Sequence, residues 1–196
     1  RLGFDVSAGG TCWNVWTLRD DLLLSILRKD HDKSTMGACG RTVSLMEENE
    51  VQPIHVNIDK TGVGVGVVHR CWEQKIGVNG FIAGENADNK ERFFNRRAEC
   101  YWRFREWILK GGALSDDSEW DVLSEIKWKI HSDKVIQIMS KEEMRKDGIT
   151  EFDVPDAGML TFANPSSEKP TVRMSLEALQ LEKEIKQRNR GALDDI

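Results

Sequence analysis

Long apolar runs are missing from this sequence. No stretch approaches the roughly 18 apolar residues that a membrane-spanning helix needs. The N-terminus also lacks the basic and then apolar pattern of a signal peptide. We therefore expect no membrane association. The chain starts at Arg1 rather than at a methionine, and residues 2–6 already have the character of a strand. We expect a domain that belongs to a longer protein.

Cysteine and histidine patterns for metal binding are missing as well. The four cysteines form no C-x-x-C pair, which leaves no signal for a zinc knuckle or a redox motif. Scattered single cysteines are typical of proteins in a reducing cytoplasm. The four histidines follow no ligand spacing, so each is more often a surface or core residue than a metal ligand; they are His31, His55, His69 and His131.

An excess of positive charge is the third absence. The formal net charge of -5 argues against a protein that binds nucleic acid through overall positive charge. It does not exclude a nuclease, because a cluster of carboxylates that binds divalent cations makes a protein formally more acidic than its metal-loaded form. The 196 residues, 39% hydrophobic and 31% charged, are ordinary for one soluble globular domain with a possible tail.

The periodicity of apolar residues predicts a meander of three antiparallel strands followed by helix, strand, helix, strand and helix. We expect strands at 2–7, 11–18, 22–27, 53–59 and 78–83, and helices at 36–49, 61–72 and 91–110. A helix at 117–124, a hairpin from 126 to 139, a capping box at Ser140 and Glu143, and a buried helix at 153–163 follow. This order predicts an α/β fold: a ribonuclease-H-like mixed five-stranded sheet flanked by helices, with an added β-hairpin.

The domain boundary is expected near residue 163. Residues 1–163 would form the nuclease-like domain, and 164–196 would be a Pro/Ser linker and a charged C-terminal helix or disordered tail.

Two aspartates end apolar strands. Asp5 lies inside the strand L-G-F-D-V, where a charge is costly unless it is paired or bound to metal, although a nearby Gly9-Gly10 turn could satisfy it. Asp59 ends V-N-I-D, and by itself it is at least as well explained as the N-cap of the next helix. The pair is more informative, because ligands bind at the carboxyl edge of open α/β sheets.

Further carboxylates come from Asp153 and Asp156, which lie three residues apart and share a helical face ahead of an apolar run. Simple stabilisation of the helix N-terminus is the alternative. Three or four carboxylates suit Mg²⁺ or Mn²⁺ rather than Zn²⁺. Two such ions could activate a water and stabilise the leaving oxygen in phosphodiester hydrolysis. The candidate catalytic and metal-binding residues are therefore Asp5, Asp59, Asp153 and Asp156.

Four segments resemble the nuclease part of phage terminase large subunits, in the order of that family. Residues 2–10 resemble its G-x-D-x-x-x-G-G opening, and residues 56–67 its strand that ends in Asp and continues into a G-x-G-x-G turn. Residues 94–107, F-N-R-R-A-E-C-Y-W-R-F-R-E-W, resemble its N-[KR]-R-A-E-x-[WY]-W helix. Residues 153–162 resemble its closing D-x-x-D-A-L-x-L-T-F segment, although Pro155 and Gly158 depart from it.

The resemblance implies a metal-dependent endodeoxyribonuclease that cuts concatemeric viral DNA during genome packaging, with a two-metal Mg²⁺ or Mn²⁺ site. Its partners would be double-stranded DNA, the packaging ATPase domain, the small terminase subunit and the portal, in the cytoplasm of an infected bacterium. No G-x-x-x-x-G-K-[ST] motif is present, so this chain does not carry the P-loop ATPase that the family has upstream.

The positive side chains offer candidate DNA contacts. Lys127 and Lys129 share one face of the expected hairpin, and Lys134 follows its turn, although a solvated strand edge explains them equally well. Lys60 follows Asp59. Arg96 lies on the long helix, where a surface of salt bridges is the better explanation. The candidate DNA-binding residues are Lys127, Lys129, Lys134, Lys60 and Arg96.

Three other functions remain open. A sugar-kinase-like or actin-like ATP-binding domain shares the early strand aspartate and glycine turns, but it needs two lobes and a longer chain. A junction resolvase or transposase core would share both the fold and the carboxylates. A non-catalytic docking module could retain the fold without activity.

Overall fold

Six strands form one mixed sheet in the computed structural model, which describes residues 1–7 and 12–164. The sheet order is β5-β4-β1-β2-β3-β6. The first three strands are antiparallel neighbours, whereas β1, β4 and β5 run parallel, as expected for a ribonuclease-H-like fold. The strands are β1 Leu2–Asp5, β2 Asn14–Arg19, β3 Leu23–Asp30, β4 Val56–Asp59, β5 Asn79–Phe81 and β6 Ala113–Leu114.

The sixth strand corrects the expected five-stranded sheet. Leu23 and Leu24 of β3 pair in parallel with Ala113 and Leu114. Two residues are too few to show an alternating pattern, so the sequence gives no signal for this strand.

Helices cover both faces of the sheet, and a separate antiparallel hairpin, β7 Trp128–Ile130 with β8 Ile136–Ile138, confirms the added hairpin. Three segments differ from expectation: residues 53–55 form a 3₁₀ turn rather than the start of a strand, residues 118–125 form a 3₁₀ helix, and the long helix begins at Arg96 rather than near residue 91. It begins there because the Asn95 side chain accepts a hydrogen bond from the Ala98 amide at 2.9 Å. The helices are α1 Thr35–Glu48, α2 Gly64–Glu73, α3 Arg96–Leu109, α4 Lys141–Lys146 and α5 Asp153–Leu160.

The alternation of side chains along the central strands divides the core into two layers. Leu2, Phe4 and Trp16 pack against α1 and α2 on one face. On the other face, α3 and α5 contribute to a second cluster with strand residues such as Val15 and Phe81. Within residues 1–7 and 12–164, no helix has the length and apolar composition needed to cross a membrane.

The contact between β1 and α5 is unusually close, because Gly3 has no side chain. A Cβ at this position would overlap the carbonyl oxygen of Ala157. Two sheet residues hold the helix there: the Thr17 hydroxyl donates to the same carbonyl at 2.9 Å, and the Asn57 side chain donates to the Leu160 carbonyl at 3.0 Å. The start of α5 is therefore fixed beside the carboxyl end of β1.

Candidate active site at the carboxyl edge of the sheet

Three of the four candidate carboxylates meet at one edge of the sheet. Asp5 ends β1 and Asp59 ends the neighbouring parallel strand β4, so both lie at the same edge. Asp156 lies in the first turn of α5. All three line one cavity of about 380 Å³. The position of the cavity, outside the carboxyl ends of parallel strands, is where open α/β sheets bind ligands.

Asp59 lines this cavity, and one of its carboxylate oxygens is buried without a hydrogen-bond partner among the described residues. Among the described residues, nothing forms a hydrogen bond with its Oδ1. Burial raises the pKa of Asp59, and hydrogen bonds from Thr61 oppose that rise only in part. The N-cap of α2 is Val63, so Asp59 does not cap this helix. The helix still starts close by, because a Cβ at Gly64 would overlap the Asp59 carbonyl oxygen.

Asp5 is almost fully buried, with 7% of its surface exposed. Burial raises the pKa of Asp5 well above its usual range, and the negative charge of Asp156 raises it further. Ionised Asp5 is therefore unfavourable until a cation approaches it. Such a group is suited to binding a metal ion, since the positive charge of the ion would stabilise the ionised carboxylate.

Asp156 is also buried, but it has three positively polarised partners. The Lys141 ammonium lies 2.5 Å from Oδ2, and the Tyr101 hydroxyl donates to Oδ1 at 2.5 Å. The Arg97 guanidinium lies 3.7 Å from Oδ1. Burial by itself would raise the pKa of Asp156, but the charges of Arg97 and Lys141 outweigh it and lower the pKa below its ordinary value. Asp156 is therefore held as a carboxylate.

Asp153 is not brought into the cavity with the other three. Its Oδ2 accepts a hydrogen bond of 2.8 Å from the backbone N–H of Trp13, in the segment that leads into β2. The spacing of three residues does place Asp153 and Asp156 on neighbouring turns, but the Trp13 amide holds Asp153 on the side of β2. This contact ties α5 to the sheet.

The carboxylates do not yet form a closed metal site. In the part of the chain that the structure describes, no three acidic, histidine or cysteine side chains lie close enough to hold an ion as they stand. The Lys141 ammonium, 2.5 Å from Asp156 Oδ2, also occupies an oxygen that a metal ion would need. The donors nevertheless fit Mg²⁺ or Mn²⁺: all are hard carboxylate oxygens, and no described residue forms a hydrogen bond with Asp59 Oδ1.

The hairpin lysines expected to contact DNA are paired with acidic residues of the α4 region. Lys127 binds Asp147 at 2.8 Å, and Lys129 binds Glu143 at 2.6 Å. These bonds hold the hairpin to α4, the helix that carries Lys141. Exposed pairs of this kind exchange easily with other anions, because they contribute little to stability.

The remaining three candidates for DNA contact have different surroundings. Arg96 is 11% exposed and binds Glu85 at 2.7 Å, which agrees with the salt-bridged surface favoured by the sequence. The ammonium of Lys60, next to the cavity residue Asp59, lies 4.9 Å from the Trp72 ring centroid. Lys134 sits at the exposed hairpin turn with a positive φ of 62°.

Sequence reasoning missed the partners of Asp156. Arg97 and Tyr101 lie within the R-A-E-containing helix that carried the family resemblance, so that motif was a usable signal for them. For Lys141 the only signal was its position directly after Ser140, the first residue of the predicted capping box.

The comparisons with known proteins agree with this architecture. No protein-family model matches the chain, and no curated protein is significantly similar to it. The nuclease domain of the large terminase subunit gp2 of bacterial virus Sf6 has 22% sequence identity and a TM-score of 0.68, covering 84% of this chain and 88% of that chain. A mutant of the same domain with manganese gives a TM-score of 0.65 at 20% identity, with the same coverage.

A second phage gives a more distant match. The large terminase nuclease from thermophilic phage G20c with bound magnesium has 15% identity and a TM-score of 0.56, covering 82% of this chain and 78% of that chain. The protein therefore has the ribonuclease-H-like fold of phage large terminase nuclease domains. This confirms the fold and the structural resemblance predicted from the sequence.

Proposed function

We propose that this chain is a metal-dependent endodeoxyribonuclease domain that cuts concatemeric viral DNA during genome packaging. The observation that carries the proposal is the cavity at the carboxyl edge, where Asp5, Asp59 and Asp156 meet on a fold shared with terminase nucleases. Double-stranded DNA is the substrate, and the other packaging components, namely the ATPase domain, the small subunit and the portal, are the expected partners in the cytoplasm of an infected bacterium.

Asp5, Asp59 and Asp156 would hold two Mg²⁺ or Mn²⁺ ions. When bound, such ions supply an activated water nucleophile and stabilise the leaving oxygen of the phosphodiester. Asp5 and Asp59 contribute carboxylates whose pKa is raised by burial, and both become favourably ionised when a cation replaces water beside them. Lys141 would have to release Asp156 before that carboxylate binds metal, and the Lys141 side chain is 38% exposed.

A cleavage assay with Asp59→Asn tests the proposal. The parent chain should nick or cut duplex DNA with Mn²⁺ or Mg²⁺ and lose this activity in excess EDTA. Asp59→Asn should lose cleavage without any loss of melting temperature, because burial already disfavours the charge that the substitution removes.

The matched control is Asp21→Asn. Asp21 is exposed in the turn between β2 and β3, at the opposite edge of the sheet from the cavity. It should cleave like the parent. Full cleavage by the parent in excess EDTA would contradict the mechanism, and a preference for branched over linear duplex DNA would instead favour a resolvase-like function.

A further inference from the structure

Arg97 is a buried cation in the same cavity as the three carboxylates. It lies at the start of α3, its side chain is 12% exposed, and it lines the cavity together with Asp5, Asp59 and Asp156. Its Nη1 donates to the Met139 carbonyl at 3.1 Å, which anchors the guanidinium to the end of the hairpin. The orientation of the group is therefore fixed.

The second guanidinium nitrogen, Nη2, has only a long ion pair of 3.7 Å with Asp156 in the part of the chain that the structure describes. Nη2 is buried, and among the described residues nothing forms a hydrogen bond with it. The nearest carboxylate oxygen, Oδ1 of Asp156, is 3.7 Å away and already accepts the Tyr101 hydroxyl at 2.5 Å. The other oxygen of Asp156 is occupied by Lys141. A buried donor without an acceptor is costly, so the structure leaves Nη2 available for a ligand that enters the cavity.

We propose that Arg97 binds substrate, with Nη2 donating to a non-bridging oxygen of the DNA phosphate that enters this cavity. This rests on the proposed nuclease function. A guanidinium is suited to the task because it stays charged and presents planar donors that match phosphate oxygens. It also answers an electrostatic problem, since a phosphodiester that approaches three carboxylates needs a nearby cation.

Arg97→Met is the direct test and Arg105→Met its matched control. Arg105 is an exposed arginine on the same helix that does not line the cavity. Binding of a fluorescently labelled DNA duplex is measured by anisotropy in Ca²⁺ and in EDTA over a range of salt concentrations. Cleavage in Mn²⁺ is measured separately, with kcat and KM determined.

Arg97→Met should weaken duplex binding about 10- to 100-fold, the loss expected for one charge-assisted hydrogen bond. The slope of log Kd against log salt should fall by about 0.9, which corresponds to one phosphate contact. Arg97→Lys keeps the charge, so it should retain the salt slope and the melting temperature while kcat falls. Arg105→Met should leave affinity, slope and kcat near those of the parent.

Two outcomes would overturn the inference. If the parent cleaves DNA and a folded Arg97→Met or Arg97→Lys matches it in affinity, salt slope and kcat, Arg97 only supports Asp156, while the nuclease function stands. If the parent neither binds nor cleaves duplex DNA, the proposed function has failed and the role of Arg97 fails with it.

Discussion

The pKa values of two buried aspartates in the same cavity shift in opposite directions. The pKa of Asp5 is raised by burial and by its acidic neighbour, whereas the pKa of Asp156 is lowered because Arg97 and Lys141 outweigh burial. In the metal-free protein, ionised Asp5 therefore costs stability, and ionised Asp156 contributes it. The two residues look equivalent in the sequence, and only their partners separate them.

This difference predicts melting temperatures that move in opposite directions in EDTA at pH 7. Asp5→Asn should raise the melting temperature. The pKa of Asp5 is raised, so stability falls as pH rises from the ordinary aspartate pKa towards the raised one, and the neutral Asn side chain removes this cost. Asp156→Asn should lower stability on the order of 3 kcal/mol, because it leaves buried cations without their partner. Thermal melts from pH 4 to 8 check both. Shifts of the same sign would contradict the assignment of charges.

Lys141 is expected to compete with metal for Asp156. Lys141→Met should therefore bind Mn²⁺ about tenfold more tightly, since metal no longer has to displace a charged hydrogen bond of 2.5 Å. Isothermal titration calorimetry measures the affinity directly. Lys146→Met, at an exposed position of the same helix, is the control and should leave it unchanged. Equal Mn²⁺ affinities in the parent and in Lys141→Met would show that Lys141 does not compete with metal for Asp156.

At the scale of elements, the hairpin and α4 form one unit beside the cavity. The pairs from Lys127 to Asp147 and from Lys129 to Glu143 connect them, and the Lys129 contact holds the pKa of Glu143 at about 2. The hairpin strand β8 contributes Gln137 and Ile138 to the cavity lining. The ion pairs and the cavity lining thus place the hairpin and α4 beside the acidic cavity.

Asp153 acts between elements, as the link from α5 to the segment before β2. Asp153→Ala should lower stability by about 1 to 2 kcal/mol, because the Trp13 amide loses its acceptor. Hydrogen exchange at that amide should become faster. The Mn²⁺ concentration needed for cleavage should not change, since Asp153 does not line the cavity. A higher Mn²⁺ requirement in this variant would restore Asp153 as a metal ligand.

The sequence predicts strands and aspartates better than it predicts their partners. The sequence predicts that Asp5 and Asp59 lie at one edge of the sheet, because both end apolar strands and the order of elements indicates that these strands run parallel. The sequence does not predict the contact of Lys141 with Asp156, because the position of that ammonium depends on how the hairpin and α4 pack beside the cavity. The sequence pattern also contains no indication of β6, because its two residues pair with β3 from a distant part of the chain, after α3.

At the scale of the molecule, the site and both core layers lie within the described part of the chain. A chain truncated after Asn164 should therefore keep the melting temperature and the DNA cleavage of the full chain. Asn164 still belongs to the folded unit, because its side chain donates to Asp88 at 2.6 Å and its carbonyl accepts from Arg96 at 3.0 Å. Thermal melts and plasmid cleavage compare the two chains. A clear loss of stability would assign residues 165–196 a structural role; the expected linker and tail lie outside the described residues.

The net charge of -5 also becomes understandable at this scale. Three of the negative charges line the cavity, and bound divalent cations would reverse their effect on an approaching phosphate. The proposed binding of DNA therefore does not require a strongly basic surface. Two cations, Arg97 and Lys141, line the cavity with the three aspartates.

The glycine at position 3 has a consequence for how such sites are recognised. Because α5 rests on the bare backbone of β1, one added methyl group would act as a wedge that moves the helix carrying Asp156 away from the strand carrying Asp5. Neither charge nor polarity would change, and all three aspartates would still be present. An intact set of acidic residues is therefore insufficient evidence of an active site. Glycine at the position that contacts the helix is a further requirement.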